Sequence, residues 1–142
     1  MRVSSVRRTL VMLLLGSFLI WIYGCDGESK RQLGMLQHLA SDIPAYQDFR
    51  QVRSFETNKW EMAMIVNCYR SSAGVEDVTK FYSQNMLSRG GWSIIPKEKR
   101  MQTIFYPDDL VLRKDDYWLG IKKDEQPYNG CNYVVTYYWN PY

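Results

Sequence analysis

The stretch Gly74–Trp92, GVEDVTKFYSQNMLSRGGW, carries the clearest local pattern in the chain and decides how its neighbours are interpreted. Apolar residues recur in it at helical spacing and fall on one stripe: Val75, Val78, Phe81, Tyr82 and Met86. Glu76 and Asp77 stand in the first turn, where the helix dipole favours negative charge. Gly90 is placed to adopt the left-handed conformation that ends many helices. The stretch therefore predicts an amphipathic helix that needs an apolar surface to cover.

Strands are predicted on both sides of this helix. From Trp60 to Arg70 the side chains would alternate between the two sides of a strand, with Trp60, Met62, Met64, Val66 and Cys68 on one side. Trp92 to Ile95 is predicted as the next strand, so the helix lies within a strand–helix–strand unit. The other predicted extended segments are Met101 to Tyr106, Leu110 to Arg113, Tyr117 to Lys122 and Asn132 to Trp139, with a hairpin turn at residues 114–116 and a longer loop at residues 126–130.

A short helix is predicted ahead of the sheet, because Leu33, Leu36, Ala40 and Ile43 recur at helical spacing and Pro44 limits it. The expected fold class is α+β, an antiparallel or mixed sheet of about five strands with one helix packed on a face, plus an N-terminal signal or anchor helix and the short tether-proximal helix. The expected divisions are residues 1–24, a signal peptide or membrane anchor; 25–43, a tether and short helix; and 44–142, a globular domain.

The first 24 residues have the pattern of an export signal. Three arginines and no acid lie in the first eight positions, and sixteen uncharged residues follow from Thr9 to Gly24. That run is short for a membrane helix, which needs ~20 apolar residues. Its length fits the apolar region of a secretory signal.

Cys25 is the predicted lipid attachment site. Ile22 and Gly24 precede it as in the bacterial lipobox, whereas the bulky Tyr23 departs from the usual small residue. Two alternatives stay open, an uncleaved N-terminal anchor and an ordinary cleaved signal. The positive-inside rule places residues 26–142 outside the cytoplasm in all three cases. We therefore expect a domain that is lipid-anchored to a bacterial cell membrane on its periplasmic or extracytoplasmic side.

Cys68 and Cys131 form the predicted disulfide. The chain has three cysteines, so lipid on Cys25 leaves these two as an even pair. An oxidising compartment permits the bridge. The alternative is a pair of buried free thiols, since reduced cysteine is commonly buried.

The charge balance argues against nucleic acid as a partner. Three of the 18 basic residues lie in the first eight positions, and the remaining 15 balance 15 acidic residues. A nucleic-acid-binding domain has a basic face, which a neutral domain of this composition does not suggest. The short basic cluster Lys97-Glu98-Lys99-Arg100 is predicted as a solvated turn.

The sequence predicts no enzyme, no metal and no cofactor. His38 is the only histidine, so no second histidine can complete a zinc site with it, and it is expected on a helix surface. Two acidic pairs, Asp108-Asp109 and Asp115-Asp116, are adjacent in sequence, whereas glycosidase chemistry needs carboxyls separated across a cleft. Both pairs are predicted in solvated turns.

The last predicted strand is rich in aromatic residues. If these rings are exposed, they offer contact area and a polar tip to an envelope protein or glycan. The candidate binding surface consists of Tyr128, Tyr133, Tyr137, Tyr138 and Trp139. The alternative is that the rings are all core. A second candidate site is a ligand pocket between sheet and helix, with Trp60, Met62, Met64, Phe81 and Trp92 as its lining.

The pattern D-V-x-x-F-Y followed by G-W, here Asp77-Val78, Phe81-Tyr82 and Gly91-Trp92, resembles a motif of small bacterial lipoproteins of unknown function. The resemblance implies a helix–strand arrangement and export, and it brings no catalytic residues. The predicted function is a lipid-anchored envelope protein without catalytic activity that binds or scaffolds another envelope component. The alternative function is a small-ligand carrier.

Overall fold

A computed structural model of the chain describes residues 27–59, 61–105, 107–128 and 130–141. The predicted signal, the lipid site Cys25 and Trp60 lie outside the described residues, and so does the side chain of Tyr128. Helix α1 covers residues 27–42 and helix α2 covers Val75–Ser88. The strands are β1 Arg50–Lys59, β2 Met62–Arg70, β3 Ser93–Ile94, β4 Leu110–Lys114, β5 Tyr117–Tyr128 and β6 Cys131–Trp139.

The strands form one antiparallel sheet in the order β1-β2-β6-β5-β4-β3. The α+β class is therefore confirmed, with six strands in the described residues where the sequence predicted about five. The additional strand is β1, whose sequence RQVRSFETNK is mostly polar and has no apolar alternation. A strand without a buried face leaves no period of two in its sequence, and sequence analysis misses it for that reason.

Both helices pack on one side of the sheet, which we call the helix face. The core on this side contains Leu36 of α1, Ile43 just after that helix, and Val78, Tyr82 and Met86 of α2. It also contains alternate residues of the central strands: Ala63, Ile65, Tyr69, Leu119, Ile121, Tyr133, Val135, Tyr137 and Trp139. Since side chains alternate along a strand, the residues between them point to the opposite side, which we call the second face.

Helix α2 follows the prediction closely. Val78, Tyr82 and Met86 of the predicted stripe are buried, and Phe81 packs beside them. The acids Glu76 and Asp77 stand in the first turn as expected. Gly90 has a φ of 73°, the left-handed value that suits glycine at the end of a helix.

Helix α1 is also confirmed, and it already includes residues 27–30, which the sequence suggested as a polar tether. Leu36 is fully buried, and Leu33, Leu39 and Ala40 pack against the same core. The helical residues stop just before Pro44, as the restriction on the residue preceding proline requires.

Two predicted segments are wrong. Residues 101–105 form turns and not an extended segment, because backbone bonds such as Thr103 N–H to Arg100 O close the chain on itself. Most of the predicted loop at residues 126–130 belongs to strand, since β5 continues to Tyr128 and the register of its pairing with β6 shifts after Lys123. That register shift hides the strand from a search for regular alternation.

Candidate functional site

The aromatic residues of β6 are core residues and not a binding surface. Tyr133, Tyr137 and Trp139 are 0%, 3% and 6% exposed on the helix face, and Tyr138 is 9% exposed on the second face. The prediction of a surface at these four positions is wrong. The reason is that Tyr133, Tyr137 and Trp139 point into the core beneath the helices, and Tyr138 packs against Phe105 on the second face.

The polar tips of the buried tyrosines are used inside the protein. The hydroxyl of Tyr133 donates to the carbonyl of Ala73 at 2.8 Å, and the hydroxyl of Tyr117 donates to the side-chain oxygen of Gln32. Burial raises the pKa of the Tyr82 and Tyr137 hydroxyls. Tyr133 and Tyr117 therefore have hydrogen-bond partners within the protein, and burial favours the neutral form of Tyr82 and Tyr137.

The predicted ligand pocket between sheet and helix does not form from its predicted lining. Phe81 and Trp92 lie with the helix-face core, whereas Met62 and Met64 pack on the second face. A groove on the helix side has a volume of only about 180 Å³ and is lined by Met35, Leu39, Trp92, Lys114 and Tyr117. Ligand pockets usually measure ~300–1,000 Å³, so this groove is small for a carrier.

The second face is covered on its β4–β5–β6 side by residues 95–105 and 107–109, which we call the covering segment. Phe105 is buried there, stacked on Trp118 and edge-on to Tyr138, with ring centroids 5.9 Å apart in both pairs. A Cβ atom built on Gly120 would stand 2.3 Å from the Phe105 ring. Only glycine at that position lets the segment lie so close to the strand.

The covering segment holds a buried polar pair that sequence analysis placed in solvated turns. Arg100 is 3% and Asp108 8% exposed. The Arg100 guanidinium donates to the backbone carbonyls of Ile95 and Asp108 at 2.7 and 2.6 Å. Burial raises the pKa of the Asp108 carboxyl to about 6. The prediction is therefore wrong for these two residues, which fasten the segment and do not face solvent.

The β1–β2 side of the second face is left open by the covering segment. Register places Arg53, Cys68 and Val134 in one row across three strands and Phe55, Val66 and Thr136 in the next. Phe55 is 55% exposed and Arg53 is exposed, while Val66, Val134 and Thr136 are half-buried. We call these residues, with Thr57, the open sheet surface.

Within the described part of the chain, strand β1 also presents a free edge, because the sheet order gives it β2 as its one neighbour. Its first seven residues are all exposed, and its register with β2 shifts between Gln51 and Arg53. A strand edge carries a row of backbone donors and acceptors that another chain can pair with. The shift leaves the run from Arg53 to Lys59 as a regular edge.

The second face is basic although the domain is formally neutral. All six charged residues that the strand ladders place on this face are lysine or arginine: Arg50, Arg53, Lys59, Arg70, Arg113 and Lys122. Among the described residues, no acid lies within ion-pair distance of Arg50, Arg53 or Arg70. Arg50 stands directly opposite Arg70, an arrangement of like charges in which the Arg50 charge also acts on the neighbouring Asp48 carboxylate and helps to lower its pKa.

A groove of about 330 Å³, which we call the basic groove, lies where β1 begins and β2 ends. It is lined by Asp48, Arg50, Arg70, Ser71 and Ser72. The Asp48 carboxylate accepts hydrogen bonds from the Ser71 hydroxyl and from the amide and hydroxyl of Ser72. These bonds, that of Ser71 foremost, lower the pKa of Asp48. Arg70 donates to the carbonyl of Gly130 at 2.9 Å. The groove is therefore organised by the protein itself and is cationic on two of its sides.

The sulfur atoms of Cys68 and Cys131 lie at bonding distance, with their Cα atoms 5.6 Å apart, which is consistent with the predicted disulfide. The ladder places Val134 opposite Cys68, so the two cysteines are not directly opposed strand partners. The bridge joins the end of β2 to the start of β6, close to the basic groove. His38 is exposed on α1 as predicted and pairs with Asp42 at 3.2 Å.

Comparisons with known proteins return no relative. No protein-family model, no curated protein and no solved structure was found to match the chain. Within the part of the chain that the structure describes, no three His, Cys, Asp or Glu residues come together as a metal site. Across the same residues no helix has the length and apolar character that a membrane span requires.

Proposed function

We propose that this protein is a membrane-anchored, non-enzymatic envelope protein that docks another envelope component on the β1 side of its sheet. The export pattern of the first 24 residues and the predicted lipid site Cys25 supply the anchor. The docking site consists of the free edge of β1 and the open sheet surface beside it. This proposal moves the binding surface from β6, where the sequence suggested it, to β1.

The observation that carries the proposal is the length and exposure of β1. The strand has ten residues, whereas the mean strand has about 5–6. Edge strands in natural proteins are usually short, covered or interrupted, because a long free edge invites pairing. Phe55 adds a large apolar side chain, 55% exposed, at the middle of this edge.

Lipid on Cys25 would attach the membrane near one end of the sheet, whereas the groove lined by Arg50 and Arg70 lies at the other end. Only Asp26 separates Cys25 from the helical residue 27, a span of at most about 7 Å. The first turns of α1 contact Tyr117 through Gln32, and Tyr117 pairs with Trp139 at one end of the sheet. The basic groove is at the other end, seven residues along β2 from Ala63 to Arg70, or about 23 Å. Lipid on Cys25 therefore holds the groove away from the bilayer.

The experiment that tests this proposal is site-specific photo-crosslinking in intact bacterial cells that carry the full chain. A photoreactive phenylalanine replaces Phe55 in one variant and Leu87 in the control, since Leu87 is 46% exposed on α2. We expect a discrete crosslinked product from position 55 and none from position 87. No product from position 55, or the same products from both positions, would contradict the proposal. A Cys25→Ser variant that still carries lipid by intact mass would contradict the anchor.

A further inference from the structure

We infer that the docked component is a protein whose acidic, extended segment adds to the sheet as a further strand beside β1. The inference rests on the proposed function and names the chemistry of its partner. Three features of the β1 side support it together: an unpaired strand edge, an exposed apolar residue on that edge, and cationic side chains around both.

The free edge determines the conformation of the partner. The regular run from Arg53 to Lys59 offers backbone amides and carbonyls to a neighbour at strand spacing. In strand addition these backbone bonds supply affinity, while pockets and charges that meet alternate side chains supply specificity. An extended segment satisfies this edge, whereas a preformed helix has no backbone groups to offer.

The alternation of β1 determines the side chains of that segment. On the second face the added strand would lie beside Arg53, Phe55, Thr57 and Lys59, which share that face by register. This favours an acidic residue opposite Arg53, an apolar residue opposite Phe55 and a second acid opposite Lys59. Register places Glu56 on the helix face, so acids of the added strand are disfavoured on that face. The acids of the segment are therefore expected on one side only, at the two positions that meet Arg53 and Lys59.

The basic groove extends the same recognition past the start of β1. Arg50 and Arg70 stand opposite each other, and the Asp48 carboxylate beside them is already engaged by Ser71 and Ser72. A carboxylate of the partner that reaches this groove would meet two cationic side chains, Arg50 and Arg70, beside a single acid, Asp48. Arginine is well suited to bind carboxylates because its planar fork can donate two parallel hydrogen bonds.

Two other occupants fit the surface less well. A second copy of this chain would bring its own Arg50, Arg53 and Lys59 to the interface, and like charges across a strand pair are unfavourable. A bilayer that holds a lipidated Cys25 would approach the Tyr117 end of the sheet, away from Arg50 and Arg70. An acidic protein segment satisfies the charge and the strand edge together.

The test uses the full chain in detergent micelles and fluorescent peptides of identical composition. One peptide has an acid, an apolar residue and a second acid at the positions opposite Arg53, Phe55 and Lys59, one has a scrambled order, and one has the patterned order with alternate backbone nitrogens methylated. We expect the patterned peptide to bind at least about tenfold more tightly than either control, since the loss of a charge-assisted or backbone contact has that effect. Arg53→Glu is expected to abolish the preference, and Lys80→Glu on α2 to leave it unchanged.

The outcomes separate the inference from the proposed function. Equal binding of the methylated and unmodified peptides would overturn strand addition and leave charge attraction alone. Binding of a soluble acidic polysaccharide as tight as that of the patterned peptide, lost in Arg53→Glu, would identify a glycan as the partner and overturn the inference. In both cases a crosslink from position 55 in cells would keep the proposed docking function. Its absence would remove the function as well.

Discussion

Strands β1 and β6 pair with the two sides of the same strand, β2, and differ in almost every other respect. They have ten and nine residues, respectively. In β6 alternate residues are buried along the whole strand, whereas the first seven residues of β1 are exposed. The aromatic strand is the centre of the fold, and the charged strand is its free edge. The aromatic residues of β6 thus belong to the core of this domain, whereas the arginine and lysine residues of β1 lie on its accessible surface.

The largest expected effect comes from truncating one ring on each strand. Tyr133→Ala in β6 is expected to lower the free energy of unfolding by ~3–5 kcal/mol, the usual cost of removing a buried aromatic side chain. Phe55→Ala in β1 is expected to change it by no more than ~0.5 kcal/mol, as for exposed positions. Chemical denaturation of both variants measures the difference. Similar losses of stability in the two variants would show that Phe55 is packed as tightly as Tyr133.

The disulfide gives the next largest effect, because it ties β2 to the core strand β6. Cys68→Ala with Cys131→Ala is expected to cost ~2–4 kcal/mol, since the bridge closes a loop of 63 residues in the unfolded chain. Thermal melting of the variant and of the parent protein, with and without reductant, measures this. A parent protein whose melting is unaffected by reductant would contradict a stabilising bridge.

The covering segment distinguishes the closed half of the second face from the open half. Gly120→Ala places a Cβ atom 2.2 Å from the Asp108 carboxylate and 2.3 Å from the Phe105 ring, so the segment must shift. We expect a loss of ~1–3 kcal/mol, typical of overpacking. Gly34→Ala on α1 is the matched control, because nothing lies within 4 Å of its new Cβ atom. The higher helix propensity of alanine is expected to raise the stability of this variant by up to ~1 kcal/mol. Unfolding in urea compares the two, and a Gly120→Ala variant as stable as its parent would show that the segment does not pack on β5.

The buried carboxyl of Asp108 adds a pH dependence to the same segment. Its pKa is about 6 in the folded protein against an ordinary value of 3.8, so folding favours the protonated form. The stability that this carboxyl contributes is fully present below pH 3.8, its ordinary pKa. It is lost as pH rises through about 6, the pKa in the folded protein. Asp108→Asn is expected to stabilise the protein at pH 7, by on the order of 1–3 kcal/mol. Unfolding measured from pH 4 to pH 7 tests this, and an unchanged pH profile in the variant would contradict burial of the acid.

Much of the core follows from the sequence, because its elements have one buried face. The stripe of α2, the hairpin of β4 and β5 and the strand β6 all show the period that their burial imposes. The strand order does not follow, since it depends on pairings between distant segments. The burial of Arg100 and Asp108 could not be predicted for the same reason. The backbone carbonyls that accept hydrogen bonds from Arg100 come within its reach only in the folded chain.

The candidate site was less predictable than the fold. Rings that pack a core and rings that bind a partner are the same residue types, so the composition of β6 could not separate the two uses. The position of β1 at the edge of the sheet, and the gathering of Arg50, Arg53 and Arg70 on one face, arise from register alone. The signal available in the sequence was a polar, arginine-rich segment next to a predicted strand.

The most direct test of the contrast between β1 and β6 is amide hydrogen exchange on the full chain in detergent micelles. We predict that β6 amides exchange slowest, through global unfolding, because the strand is paired on both sides and alternate residues along it are buried. In β1, amides that face the free edge should exchange fastest among the strand residues, and they should slow when the patterned acidic peptide is added. Equal protection of β1 and β6 in the free protein would show that the edge of β1 is already covered and is not available for docking.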